Sequence, residues 1–272
     1  MSKLIVSSSN KPDSGGLVLS ITPESAGWEY VGFQVITLNA GQTYCFETEN
    51  KEVCIVLLTG VANAATKTES WTAIGERMSV FEQKPPYAVY APPHDAVAIK
   101  AITKLELAIC TAPGKGAYPA RLIRPQDVGV SQRGHGVMER TIHNILPETE
   151  PADHLLVVEV FTPAGHWSSY PPHKHDQLNL PQESLLEETY YYKMNPEHGF
   201  AMQRVYTDDR TLDEALVPRN GDAVLVPRGY HPVSAPPGYE VYYLNVMAGP
   251  ARQWRFHNDP EHEWLFGTPK PE

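Results

Sequence analysis

Two histidines, His173 and His175, stand one residue apart in "PPHKHD" (171–176), just ahead of a strand-like run, "LEETYYYKM" (186–194). On an extended strand alternate side chains share a face, so both imidazoles project together while Lys174 projects the other way. Two imidazoles on one face at this spacing can share a metal ion. A carboxylate follows, but Glu187 and Glu188 are adjacent and only one can turn inward. Glu188 shares parity with Tyr190 and Tyr192, and Glu187 with Thr189 and Tyr191. The loop 176–186 resets the register, so parity leaves the pair open. A fourth ligand comes from another strand: in "VLVPRGYHPVSAP" His231 follows a strand in a Pro/Gly-framed turn. An isolated H-x-H is often surface decoration; the ordered addition of a Glu and a distant His makes it a candidate centre. The expected ligand set is His173, His175, Glu188 and His231, holding one divalent metal per chain. His154, His198, His257 and His262 are expected to be exposed or satisfied within the core.

The elements that must position these residues are short. Twenty-five prolines and 19 glycines punctuate stretches rich in Val, Ile, Tyr and Leu. Examples are YVGFQVITL (30–38), VCIVLLTG (53–60), VAIKAITKLELAIC (97–110), HLLVVEVFTP (154–163), FAMQRVYT (200–207), DAVLVP (222–227) and EVYYLNVMAG (240–249). Strand-length, β-branched or aromatic runs bounded by turn residues predict an all-β sandwich or barrel. Helical periodicity is nearly absent; SWTAIGERMSVFE (70–82) carries the one weak helical signal.

The chain also repeats itself. "KEVCIVLLTG" (51–60) leads through a polar excursion to "YAVYAPPHDAVAIKA" (87–101), as "LEETYYYKM" leads to "DAVLVPRGYHPVSA" (222–235). Two tandem barrels are therefore expected: a first over 1–114, a connecting segment over 115–150 and a second over 151–272. The first half has no H-x-H and its His94 stands alone, so that barrel is expected to be metal-free.

Composition narrows the partners. The 272 residues carry a formal net charge of −10 and 42% hydrophobic residues, enough for a substantial core. No lysine/arginine block offers the basic stripe that nucleic acid or an anionic membrane requires. The scattered Cys45, Cys54 and Cys110 have no C-x-x-C spacing and read as reduced, buried small hydrophobes. The opening residues lack the apolar core of a signal peptide, and no apolar run approaches the roughly 20 residues of a membrane helix. A cytoplasmic protein is expected, and a homo-oligomer, because self-association buries exposed strand edges.

H-x-H, a following Glu, and a distant His after a "VP-x-G" turn together form the cupin pattern, with an inserted loop, DQLNLPQESLLE (176–187), lengthening the usual spacer. The stretches "SSYPPHKHD", "RGHGVMERTIHNIL", "QRVYTDDR", "VPRGYHPV" and "YYLNVMAGP" resemble the 5-deoxy-glucuronate isomerases of bacterial myo-inositol catabolism. That family is related to 4-deoxy-L-threo-5-hexosulose-uronate ketol-isomerase of pectin breakdown. The resemblance covers nearly the whole chain and is densest over 121–265. It implies a bicupin of two RmlC-like, jelly-roll barrels and an aldose–ketose isomerisation, 5-deoxy-D-glucuronate to 5-dehydro-2-deoxy-D-gluconate.

The implied chemistry sets further expectations. A divalent metal held by neutral imidazoles and a carboxylate can polarise the carbonyl as a Lewis acid. Zinc suits the ligand set and is redox-silent; manganese and iron also accept it. A uronate's carboxylate calls for an arginine: Arg228 comes first, in the turn of His231, with Arg133, Arg140 and Arg204 as alternatives, each otherwise an ordinary surface arginine. Tyr190, Tyr192 and Tyr242 are candidates for proton transfer, set against plain aromatic packing. Rival readings are an Fe(II)-dependent cupin dioxygenase and a non-catalytic sugar-acid-binding cupin.

Overall fold

A computed structural model of the chain describes residues 2–9 and 11–267. Met1, Asn10 and residues 268–272, which fall within the two expected barrel ranges, lie outside the described residues. The fold is all-β, as expected, and every paired strand runs antiparallel.

The first barrel closes a six-stranded sheet against a four-stranded one. The larger sheet runs Arg121–Ile123, Ala88–Ala91, Lys51–Thr59, Leu105–Pro113, Gly32–Leu38, Leu17–Ile21; the smaller runs Thr43–Glu47, Ala96–Ala101, Ala62–Ala65, Ser70–Ile74. The second barrel repeats the order. Its larger sheet runs Ile5–Ser7, Asp222–Val226, Glu187–Asn195, Glu240–Ala248, Leu156–Thr162, Arg140–Leu146, Gly129–Arg133, and faces Trp167–Ser168, Val233–Ser234, Met202–Tyr206, Asp213–Leu216. Lys51–Thr59 and Glu187–Asn195, which look alike in sequence, hold the same place in their respective sheets.

The sheets do not divide where the sequence suggested. The stretch 115–150 is no bare connection: Arg121–Ile123 edges the first sheet, while Gly129–Arg133 and Arg140–Leu146 are a hairpin of the second. Glycines and charges around the hairpin turn obscured a strand whose Ile142, Ile145 and Leu146 are all buried. Conversely, Ile5–Ser7 belongs to the second barrel, pairing with Asp222–Val226 and covering an edge that would otherwise stay open. The 70–82 segment is a strand, Ser70–Ile74, followed by one 3-10 turn, Val80–Glu82, capped by Ser79.

The two large sheets pack back to back, so their strands are buried on both faces. Along Lys51–Thr59, Val53, Ile55 and Leu57 fill the first barrel while Cys54, Val56 and Leu58 pack between the barrels. Along Glu240–Ala248, Tyr243 and Met247 enter the second barrel while Tyr242, Leu244 and Val246 face the first. Each such buried aliphatic side chain contributes about 1.5–3 kcal/mol. Cys54 and Cys110 are buried as expected; Cys45 is exposed, because alternation on Thr43–Glu47 turns Tyr44 and Phe46 inward instead.

Polar groups also span the interface. Glu52 of the first barrel accepts from the backbone N–H groups of Asp153, His154 and Leu155 and from the Tyr90 hydroxyl. Glu187 of the second barrel accepts from the N–H groups of Glu29, Tyr30 and Val31. Each barrel thus caps a chain segment of the other with a carboxylate from the start of the equivalent strand. Between the sheets, Arg77 forms a two-pronged pair with Glu159, both contacts 2.8 Å. Glu159 also contacts His143 Nδ1 at 2.7 Å and accepts from the Tyr242 hydroxyl at 2.9 Å.

Candidate metal centre

The H-x-H behaves as its spacing dictates. His173 lies on a two-residue strand paired with His257–Asn258, and His175 follows on the same side, with ring centroids 6.4 Å apart. Lys174 turns the opposite way and is buried against Asp176 at 2.8 Å and Glu183 at 3.1 Å. Glu188, on the second barrel's central strand, points into the barrel. Glu187 faces outward to its three N–H groups, which resolves the choice between them. His231 arrives on the turn between Asp222–Val226 and Val233–Ser234.

His175, Glu188 and His231 bring one ligand atom each to within 4.8 Å of one another, all three side chains buried. The His173 ring stands beside them at the mouth, 4.9 Å from that of His231. The tautomers follow from the partners. His231 Nδ1 lies 2.8 Å from the Gly229 carbonyl and His175 Nδ1 lies 3.1 Å from the Leu186 carbonyl. A carbonyl only accepts, so both Nδ1 atoms carry a proton, and in the neutral rings both Nε2 atoms present lone pairs. Those lone pairs face a carboxylate oxygen: Glu188 Oε2 is 3.0 Å from His175 Nε2 and 3.2 Å from His231 Nε2.

Three acceptors converging in a buried space call for a cation between them. A proton serves only part of the need. Burial opposes protonation of His175, but the hydrogen bond and charge of Glu188 outweigh it and hold its pKa above the ordinary value. Burial pushes His231 down to about 4 despite Glu188, and burial with the neighbouring imidazoles pushes His173 well down. His231 Nε2 is left buried without a hydrogen-bond partner. A divalent ion satisfies all three acceptors at once, and the donor set of neutral imidazoles and one carboxylate suits zinc, manganese or iron.

The surrounding groups are fixed in turn. Asn245 Nδ2 donates to Glu188 Oε1 at 2.7 Å. Behind His231, Lys174 pairs with Asp176, whose Oδ2 accepts the Gly229 N–H at 2.8 Å, and the Gly229 carbonyl receives the His231 proton. Gly229 has φ +84 and an added Cβ would strike the Tyr206 carbonyl oxygen, so only glycine makes this turn.

A cavity of about 30 Å³ adjoins Glu188 and His173, walled by Tyr190, Tyr243, Ser169 and Asn245. A cleft of about 570 Å³ adjoins it, sharing Arg133, Arg140, His173 and Trp254 and lined also by Tyr170 and Asn258. Ser169 is held at φ 48, a left-handed conformation rare for serine, with its Oγ 3.0 Å from the Tyr190 hydroxyl.

The expected tyrosines separate. Tyr190 reaches the cavity, and burial and the Glu188 charge push its hydroxyl well up in pKa, so it keeps its proton and can donate a hydrogen bond there. Tyr192 lies deeper, donating to Gln203 at 2.8 Å. Tyr242 is on the other face of its strand, donating to Glu159 between the barrels; its neighbour Tyr243 lines the cavity instead. The arginines separate likewise. Arg204 is exposed and paired with Asp213 at 2.7 Å, and Arg228 sits on the surface near Thr211, so neither reaches the cleft. Arg133 and Arg140 do. Ser169, Tyr243, Asn245 and Trp254 were not singled out from sequence; "VYYLNVM" (241–247) puts Tyr243 and Asn245 on one face but does not say which face is inside.

The repeated barrels and a histidine–carboxylate cluster at the mouth of one of them define a two-barrel cupin. An oxalate decarboxylase from Lactobacillus farciminis, solved as its formate complex, shares the fold at TM-score 0.69 and 12% identity, over 99% of this chain and 91% of that one. The KduI/IolB family matches residues 4–265, and the chain belongs to it. A 5-deoxy-glucuronate isomerase of Geobacillus thermodenitrificans is 66% identical over 98% of this chain and 97% of its own. The crystal structure of an IolB-like protein from Salmonella typhimurium superposes at TM-score 0.94 with 50% identity, covering 97% of this chain and 99% of that one. The chain is an isomerase.

Proposed function

We propose that this isomerase converts 5-deoxy-D-glucuronate to 5-dehydro-2-deoxy-D-gluconate, a step of myo-inositol catabolism, using one divalent metal held by His173, His175, Glu188 and His231. The observation that carries the metal is the convergence of two Nε2 lone pairs on Glu188 Oε2, with His231 Nε2 otherwise unpartnered. The substrate is supported by the relatives, which are 5-deoxy-glucuronate isomerases.

When bound, the ion supplies Lewis-acid polarisation of the sugar carbonyl. The chain's own groups bind the substrate, orient it and donate hydrogen bonds to it. Arg133 and Arg140 hold the substrate carboxylate in the cleft. Tyr190, kept protonated, donates to the substrate oxygen that gains charge, with Ser169 and Tyr243 completing a hydroxyl array beside it. Asn245 and the two backbone carbonyls keep the ligands aligned without movement. Zinc is the proposed ion. The enzyme works in the cytoplasm as a homo-oligomer on a small uronate.

The test is elemental analysis of the purified protein with an anaerobic assay on 5-deoxy-glucuronate. About one divalent metal per chain and full turnover without oxygen are expected. An oxygen requirement would replace the isomerisation by iron oxygenase chemistry, and turnover by metal-free protein would remove the metal. Asp176→Ala is expected to weaken Zn²⁺ binding by about 10–100-fold, as loss of outer hydrogen bonds does, read by titrating metal-stripped protein. Unchanged affinity would mean that Gly229 holds the His231 turn unaided.

A further inference from the structure

Arg133 and Arg140 are directly opposite each other in the hairpin, so their side chains share a face. Like charges at such a pair oppose folding. Here the opposition is uncompensated: among the described residues no carboxylate hydrogen-bonds or ion-pairs with either. Arg140 Nη1 has only the carbonyls of Met138 and Tyr170, at 3.1 and 3.3 Å. Arg133 lies over the Trp254 ring, its Cζ 5.5 Å from the centroid. Burial lowers the pKa of both guanidinium groups, Arg133 adding to the effect on Arg140. Two half-buried cations without an anion border a cleft that reaches His173.

Two further polar atoms there are buried and unpaired. Trp254 Nε1 has no acceptor and Asn258 Oδ1 has no donor. Trp254 lines both the cleft and the inner cavity, and Asn258 lies across from His173 in the two-stranded pair. Buried polar groups left without partners mark where a ligand supplies them. The groups differ in kind: three donors, two of them cationic, and one acceptor.

We infer that Trp254 and Asn258 complete a recognition subsite in which the indole N–H joins Arg133 and Arg140 on the substrate carboxylate, and the Asn258 amide oxygen accepts from a sugar hydroxyl. This deepens the proposed function and rests on it for the identity of the sugar, but not for the recognition of a uronate. The subsite positions the substrate: Arg133, Arg140 and Trp254 line both the cleft and the inner cavity, so a carboxylate held by them keeps the sugar against the cavity beside Glu188 and Tyr190. An uncharged sugar of the same shape leaves the arginine pair unneutralised and is rejected.

The test uses calorimetric binding of D-glucuronate and D-glucose to the intact protein and to Trp254→Phe and Asn258→Ala, with melting temperatures checked for each. Wild type is expected to bind glucuronate and not glucose. Each variant, melting as wild type does, is expected to bind glucuronate about tenfold or more weakly, as loss of one hydrogen bond to a charged or buried partner implies. Kinetically the loss should fall mainly on KM, with kcat little changed. Equal binding of the two sugars, undetectable glucuronate binding, or wild-type affinity in both variants would overturn the subsite. Failure of the isomerase assay alongside intact, variant-sensitive glucuronate binding would overturn the proposed reaction and leave the subsite standing.

Discussion

Glu188→Gln is expected to leave the protein folded, free of metal, and slower in kcat/KM by at least about 10³-fold, since a Lewis acid contributes several kcal/mol and each 1.36 kcal/mol is tenfold in rate. The substitution is close to isosteric, and its amide keeps an oxygen for Asn245 Nδ2. It differs where it counts. The carboxylate gives two imidazole lone pairs a third acceptor to share around a cation; the amide nitrogen gives them a donor. The buried His231 Nε2, orphaned in the native site, gains a hydrogen bond. The metal-stripped variant should therefore melt no lower than metal-stripped wild type, while its zinc content falls to background. Elemental analysis, a thermal melt and steady-state rates decide it together. Metal retention with a full rate would move the centre elsewhere. A collapse of the melt would make Glu188 a structural residue first.

Arg77→Ala is expected to cost about 3–5 kcal/mol, the range for leaving one partner of a buried ion pair alone. At about 2–4 °C per kcal/mol for a chain of this size class, the melting temperature should drop by roughly 6–20 °C. Arg77 is 2% exposed and Glu159 is fully buried; removing the guanidinium leaves a carboxylate between the sheets with only His143 and Tyr242 for partners. The loss should shrink in acid. Burial pushes the Glu159 carboxyl up, but Arg77 and His143 outweigh it and hold it below the ordinary carboxylate value. A depressed pKa stabilises the fold above the ordinary carboxylate range and loses that contribution as pH falls through the folded value. Without Arg77 the group protonates more readily, so the gap between variant and wild type closes on acidification. Melts at several pH values test this, and a gap that widened in acid would refute it. Turnover measured well below the melt should be nearly unchanged, because Tyr242 and Glu159 lie on the opposite sheet face from the cavity.

The residues of the candidate centre were legible because their cues are local. An H-x-H before a strand and a histidine in a Pro/Gly turn need only period-two alternation to be placed. The choice of Glu188 over Glu187 was not legible, since it depends on the register across the 176–186 loop, which no local pattern sets. Tyr242 was expected near the metal and Tyr243 was overlooked for a related reason. Their strand is buried on both faces, so the apolar–polar alternation that would tell inside from outside is missing. Among the arginines, Arg228 is near His231 in sequence yet points to the surface. Arg133 and Arg140 reach the cleft because a hairpin that reads as linker joins the second sheet.

The duplication also explains why one barrel differs chemically from its twin. Matching Glu52 to Glu187 puts Val53 where Glu188 stands, Ile55 where Tyr190 stands and, through the cross-strand partners, Ile109 where Asn245 stands. The first barrel's interior is aliphatic at these three positions, where the second has a carboxylate, a phenol and an amide.

The exchanged edge strand has a consequence for biosynthesis. Ser8 bonds Gly221, 213 residues away, so Ile5–Ser7 is synthesised well before the strand it pairs with and must wait for it. The first barrel can close while the second half is still being translated, as domains generally do. The second barrel cannot seal this flank until Asp222–Val226 has been made and the Ile5–Ser7 arm reaches across. That pairing closes a far longer loop than the neighbouring hairpins, and contacts of such sequence separation form slowly.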